Sequence, residues 1–165
     1  MKLHPAEAVI TILKADKLKT TAFFFGMSEN NMKKILAKPW VMIGSDASIR
    51  SPSGPLSKDY PHPRAYGTFV KCLHMAIHGE TVRTEEMIKK MTSLPAIKLG
   101  LKDRGILKKN NKADITVFDP NTVRDTADYA NPHSFAKGIC HVFVNGVLCV
   151  FNGKLTNQRA GKMIL

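Results

Sequence analysis

The chain is short of acidic residues, cysteine, aromatic side chains and long apolar runs, and each shortage excludes something. No apolar run approaches the roughly 18 residues a bilayer span requires, so no membrane segment is expected. The opening Met1-Lys2-Leu3-His4-Pro5-Ala6-Glu7 has no apolar h-region and no small-residue cleavage site, so no secretory leader is expected. Three cysteines, Cys72, Cys140 and Cys149, match neither a disulfide framework nor a zinc knuckle in their spacing, and predict reduced thiols in a cytoplasmic protein. A Gly-rich phosphate loop, a Gly-x-Ser-x-Gly elbow and paired Cys-x-x-Cys motifs are missing as well. A complete (β/α)8 barrel is excluded by length, since that fold takes about 250 residues and the chain has 165.

Only 13 Asp and Glu stand against 25 Lys and Arg, giving a net charge of +12 and a pI near 9.8. Such a balance attracts nucleic acid or an anionic surface when the cations form a patch. Here they are scattered in ones and twos, as at Lys33-Lys34, Lys89-Lys90 and Lys108-Lys109, with no aromatic residues between them to stack on bases. They read as solvated faces, and nucleic acid is not the expected partner. With 44% hydrophobic and 23% charged residues the composition is that of a soluble globular chain.

Pro5 fits the first turn of a helix running to about Lys17, with Ala8, Val9, Ile12 and Leu13 on one apolar face. Residues 20–26, Thr-Thr-Ala-Phe-Phe-Phe-Gly, form a continuous apolar run, the pattern of a strand covered on both faces in a parallel sheet. Ser28 can cap a helix carrying Met32, Ile35 and Leu36 that Pro39 stops. A second apolar strand is expected over residues 40–43, ending in Gly44-Ser45-Asp46, so that strand, helix and strand make a βαβ unit. Residues 47–63 read as loop. A helix is expected from about Tyr66 to His78. Another should follow with Thr84 as its cap, Glu85 and Glu86 in its first turn and Met87, Ile88 and Met91 inward. Pro95 opens a short helix that Gly100 ends. Beyond Gly100 the texture turns to β: residues 113–118 alternate, and Asn145-Gly146 and Asn152-Gly153 are hairpin signals. The chain is therefore expected to be α/β up to about residue 95 and mostly β afterwards.

Asp46 is the leading chemical candidate, because a carboxylate just past an apolar parallel strand lies where α/β sheets and barrels build their sites. Its position equally fits a cap on its own turn, Asp46-Ala47-Ser48. Arg64, in His62-Pro63-Arg64, could bind a substrate carboxylate bidentately, while taken alone Arg64 reads as a surface arginine and His62 as a solvated imidazole. His74 and His78 have the i, i+4 spacing that lets two histidines share a metal. No Glu follows His74, and Cys72 points to a different helical face, so the pair reads as ordinary helix histidines. His133 and His141 have no partner in the sequence.

The order of several blocks adds a resemblance. Phe24-Phe25-Gly26-Met27-Ser28-Glu29-Asn30, Pro39-Trp40-Val41-Met42-Ile43-Gly44-Ser45-Asp46-Ala47-Ser48 and Pro61-His62-Pro63-Arg64-Ala65-Tyr66-Gly67-Thr68-Phe69 resemble the late barrel region of the N-acyl-D-amino-acid deacylases (D-aminoacylases) of the amidohydrolase superfamily. The similarity continues through Lys90-Met91-Thr92-Ser93-Leu94-Pro95-Ala96, Leu99-Gly100-Leu101-Lys102-Asp103-Arg104-Gly105, Lys112-Ala113-Asp114, Val117-Phe118-Asp119-Pro120, Val144-Asn145-Gly146 and Asn152-Gly153. It implies an α/β chain holding the last two βα units of a (β/α)8 barrel in residues 1–99, followed by part of a small β-sandwich domain in residues 100–165.

The same resemblance implies a zinc-dependent hydrolase of N-acyl-D-amino acids, in which the aspartate after the last barrel strand moves the water proton to the departing amine. Asp46 occupies that motif, and Arg64 matches the arginine that binds the substrate carboxylate. The family's metal ligands, a His-x-His, a cysteine and two later histidines, belong to upstream segments without counterpart here. Cys72, His74 and His78 fall on positions that are not ligands, so zinc belongs to the intact family and none is expected to bind tightly to this chain alone. The expectation is a C-terminal fragment or split subunit, inactive by itself, completed by a partner chain or self-associating through unpaired strand edges. Two other readings compete with it: a decayed remnant serving as a basic module for an anionic partner, and a small intact enzyme with His74 and His78 as ligands.

Overall fold

The computed structural model describes residues 3–164. Five α-helices come first: α1 Pro5–Ala15, α2 Glu29–Leu36, α3 Arg64–Ile77, α4 Thr84–Met91 and α5 Ser93–Lys98. Four strands follow, β1 Ile115–Phe118, β2 Ile139–Val144, β3 Val147–Phe151 and β4 Lys154–Leu155, in one antiparallel sheet of order β1-β2-β3-β4. Helices and strands thus share the chain as the α/β expectation requires, with the two kinds of element segregated along it.

Local chemistry explains most boundaries. Ser28 Oγ accepts the Asn31 amide at 3.3 Å, and Glu29 pairs with Lys33 at 3.0 Å along one face of α2. Asn145 and Gly146 both take positive φ, 49° and 82°, the two-residue turn whose twist matches the flanking strands β2 and β3. Asn152 and Gly153, at 48° and 74°, turn β3 into β4 in the same way. At α4 the cap position falls on Arg83 rather than Thr84, which is instead the first helical residue, and no side chain caps that end. The buried apolar side chains are Leu36 of α2, Leu73, Met75 and Ala76 of α3, Met87 of α4, Ala96 of α5 and Val123 after β1. A groove of about 650 Å³ runs between Phe69, Leu73 and Ile88 of the helices and Ile115, Phe118 and Val142 of the sheet.

The expected pair of parallel strands does not form. Residues 20–26 and 40–43 belong to no ladder. Their composition suits a strand with neighbours on both sides, but a ladder needs those neighbours to exchange N–H···O bonds, and no described segment lies alongside to do so. Phe24, Phe25 and Trp40 consequently remain 90%, 79% and 71% exposed. The apolar face of α1 is likewise uncovered, with Val9, Ile10 and Ile12 exposed.

Two glycines differ in why they are needed. Gly138 has φ 79°, and a Cβ there would stand 2.3 Å from the Val123 Cα, which is backbone and cannot swing away. Gly146 also has positive φ but meets nothing within 4 Å. Gly138→Ala is therefore expected to cost several-fold more than Gly146→Ala, whose backbone penalty is about 1 kcal/mol. Thermal or denaturant melts of the two variants would check this, and equal costs would contradict the Val123 contact.

Candidate active site

Pro39 cannot continue α2, so the chain turns over residues 37–40 and runs without regular secondary structure towards Asp46. With no strand beside it, this run needs other partners for its main-chain groups. Lys90 of α4 supplies them. Its side chain is fully buried, its ammonium donates to the carbonyls of Lys38 and Val41, the latter at 3.1 Å, and its own carbonyl accepts the Ile43 amide at 3.4 Å. The Lys89-Lys90 pair was expected to be a solvated face. Lys89 is one, but Lys90 stands three residues after the fully buried Met87 on the same side of α4, so the helix turns it inward. Asp46 follows at φ 49°, a left-handed conformation that aspartate tolerates better than most residues.

Arg64 arrives from the other side as the first residue of α3. Pro63 offers no side-chain cap, and His62 takes over: its Nδ1 accepts the Arg64 amide at 3.0 Å and its carbonyl accepts the Ala65 amide at 3.0 Å. His62 is half-buried rather than solvated. Its ring packs edge-on against Phe23 and Tyr129, with centroids 5.3 and 5.2 Å away, and its Nε2 lies 3.0 Å from the Tyr129 hydroxyl. Burial, and secondarily the Arg64 and Lys71 cations, hold its pKa below the ordinary 6.5. The loop leading to it is fastened to residues 129–133: the Tyr60 hydroxyl donates to the Tyr129 and Ala130 carbonyls, and His133 Nε2 donates to the Asp59 carbonyl at 2.8 Å.

These two approaches bring the sequence candidates together: Arg64 Nη2 stands 3.0 Å from Asp46 Oδ2. The carboxylate is 87% exposed and the guanidinium 45%, so the pair contributes at most about 1 kcal/mol to stability. Its geometry is available for binding rather than consumed in holding the fold. Beside it a cleft of about 240 Å³ is lined by His62, Arg64, Thr68, Lys71, Asp125 and Tyr129.

The remaining candidates lie elsewhere. His74 Nδ1 donates to the Val123 carbonyl at 2.9 Å, and the His74 and His78 rings lean on each other with centroids 4.2 Å apart. Burial pushes the Cys72 thiol pKa up, away from the reactive range. His141 stacks on Phe151 in the sheet. Among the described residues no three His, Cys, Asp or Glu side chains gather in a way that could hold a metal ion. Lys90 and Tyr129 escaped the sequence reading, the first because it sits in a run of charges and the second because its loop carries no motif.

Lys90→Met keeps the length and apolar stem but leaves the Val41 carbonyl without its donor and the Lys38 carbonyl with the Val41 amide alone. It is expected to destabilise the chain by about 3 kcal/mol and to speed exchange of the Ile43 amide well beyond that of α3 amides. Hydrogen exchange read by NMR would check both, and an unchanged Ile43 would refute the clamp.

Comparison with known proteins adds an independent finding. A model of the amidohydrolase family matches residues 8–150. The chain is 40% identical over 144 residues to a D-aminoacylase of Alcaligenes xylosoxydans xylosoxydans, an alignment covering 87% of this chain and 28% of that protein. It superposes on a D-aminoacylase crystal structure with a TM-score of 0.73 at 39% identity, covering 84% of this chain and 28% of that one. The N-acyl-D-glutamate deacylase of Bordetella bronchiseptica, solved with zinc and a phosphonate mimic of the tetrahedral intermediate, gives a TM-score of 0.66 at 36% identity, covering 74% and 24%. The chain thus spans about a quarter of the length of these relatives.

Proposed function

The chain belongs to the amidohydrolase family, and on that premise we propose that it is a carboxyl-terminal portion of an N-acyl-D-amino-acid deacylase, hydrolysing a linear amide once completed by the remaining segments. Residues 1–99 are read as the closing part of the barrel and residues 100–165 as part of the small β domain. Asp46 acts as general acid and base: its carboxylate takes a proton from the attacking water and delivers it to the departing amine nitrogen. Arg64 binds the substrate's carboxylate through its planar pair of donors. The observation that carries this reading is the 3.0 Å approach of Asp46 to Arg64, an arginine 18 residues later that itself lines the adjoining cleft. In the free chain each is the other's counter-ion, and a bound carboxylate would take Asp46's place on Arg64.

Zinc accompanies the similar N-acyl-D-glutamate deacylase, yet the described residues offer no donor set that fits it. We read the metal's ligands as lying in the family's remaining segments, as the resemblance implies. The uncovered Phe24, Phe25 and Trp40 support the same view, since they are the faces those segments, on a partner chain or a longer one, would cover. No helix among the described residues is long and apolar enough to cross a membrane. The free thiols of Cys72, Cys140 and Cys149 suit a reducing, cytoplasmic setting.

The test is a chimera in which this chain replaces the matching segment of the D-aminoacylase. It is expected to hydrolyse N-acyl-D-amino acids, with Asp46→Asn lowering kcat about 10²- to 10⁴-fold and Arg64→Met raising KM about 10- to 100-fold. The free chain given Zn²⁺ and the same substrates should show no turnover. A chimera indifferent to Asp46→Asn, or a free chain that turns over substrate, would contradict the proposal.

A further inference from the structure

We infer that His62, steadied by Tyr129, is the positioning residue that places Arg64, by capping the first turn of α3 with a neutral imidazole. This rests on Arg64 being the carboxylate-binding group, but the cap itself stands on geometry. The first amides of a helix have no partner inside it, and α3 begins after a proline whose carbonyl accepts the Tyr66 and Gly67 amides but whose side chain caps nothing. His62 satisfies the first two of these amides, Arg64 with its ring Nδ1 and Ala65 with its carbonyl. The backbone of Arg64, and with it the origin of the guanidinium, is fixed to the His62 ring.

An Nδ1 that accepts an N–H must be bare, so the neutral ring carries its hydrogen on Nε2 and donates it to the Tyr129 hydroxyl 3.0 Å away. Protonation would place the ring's second hydrogen on the hitherto bare Nδ1, facing the Arg64 N–H, and the cap would be lost. The surroundings oppose that. Arg64 and Lys71 of α3 line the same cleft as cations, Phe23 of the 20–26 run and Tyr129 desolvate the ring, and Asp46 is engaged by Arg64. Of the two carboxylates in that cleft, Asp125 packs against Gly67 and Asp128 is bound by the Ala130 and Asn131 amides at 2.8 and 2.6 Å. Because the folded state favours the neutral ring, its contribution to stability is present above about pH 6.5 and lost as pH falls through the lowered folded value.

NMR on the full chain tests this without substrate. The Arg64 backbone amide should titrate with the His62 ring at one shared midpoint below 6.5. His62→Asn, whose Oδ1 takes the place of Nδ1, should keep the Arg64 amide protected and remove that titration. His62→Gln, which reaches towards Tyr129 but leaves the place of Nδ1 empty, should speed its exchange roughly five- to tenfold, the size of a lost cap, while Leu73 and Ala76 stay protected. Tyr129→Phe removes one hydroxyl and should loosen the Arg64 amide severalfold, which keeps the test open if the histidine variants fold poorly. An Arg64 amide that ignores His62→Gln and Tyr129→Phe, or titrates apart from the ring, would overturn the inference. A failure of Arg64→Met to raise KM in the chimera would instead count against the carboxylate-binding role alone.

Discussion

The backbone between Lys38 and Ile43 has main-chain groups to satisfy and no strand alongside to satisfy them, and the buried ammonium of Lys90 is what resolves the conflict. Taking a charge out of water is costly unless polar partners replace the hydration shell. Here the carbonyls at the end of α2 and in the run beyond it do so, and the Ile43 amide closes the arrangement on the Lys90 carbonyl. One side chain of α4 thereby sets the height and direction from which the chain reaches Asp46. His62 solves the matching problem at the start of α3. Both partners of the Asp46–Arg64 pair are delivered by side-chain bonds to main chain rather than by a sheet.

A second coupling ties the site to the β-rich half. After β1 the chain turns at Val123, which is buried against Gly138 and whose carbonyl receives His74. It then runs over α3, where Tyr129, Ala130 and His133 hold Asp59, Tyr60 and His62. A displacement of this loop would reach Arg64 through two bonds, His62 to Tyr129 and His62 to the Arg64 amide. The segment carries no catalytic candidate of its own, yet it sets where one stands.

Much of this was legible in the residues. Ser28, Pro39, Asn145-Gly146 and Asn152-Gly153 each act through local backbone chemistry that needs no tertiary context, and each boundary they imply is present. Asp46 and Arg64 could be singled out by position and residue type, and they do meet. The parallel strands were misread because an apolar run reports that a strand expects cover, not that the cover exists in the same chain. Lys90 was misread because charge outweighed the three-residue spacing from Met87 that turns it inward. Tyr129 was invisible, since its role depends on a loop crossing α3, a fact of topology that no local pattern encodes.

The exposed aromatic residues, the thin core and the open groove beneath the sheet describe a chain whose surfaces suit a larger enclosure, while its two candidate side chains already stand together. That last point is the centre of the account, and solution NMR reaches it most directly. In the free chain, Asp46→Asn should displace the side-chain nitrogen signals of Arg64, 3.0 Å away, and leave those of Arg124 in place. Arg64 signals that ignore Asp46→Asn would show that the two groups do not share a site, and the functional reading would lose its footing.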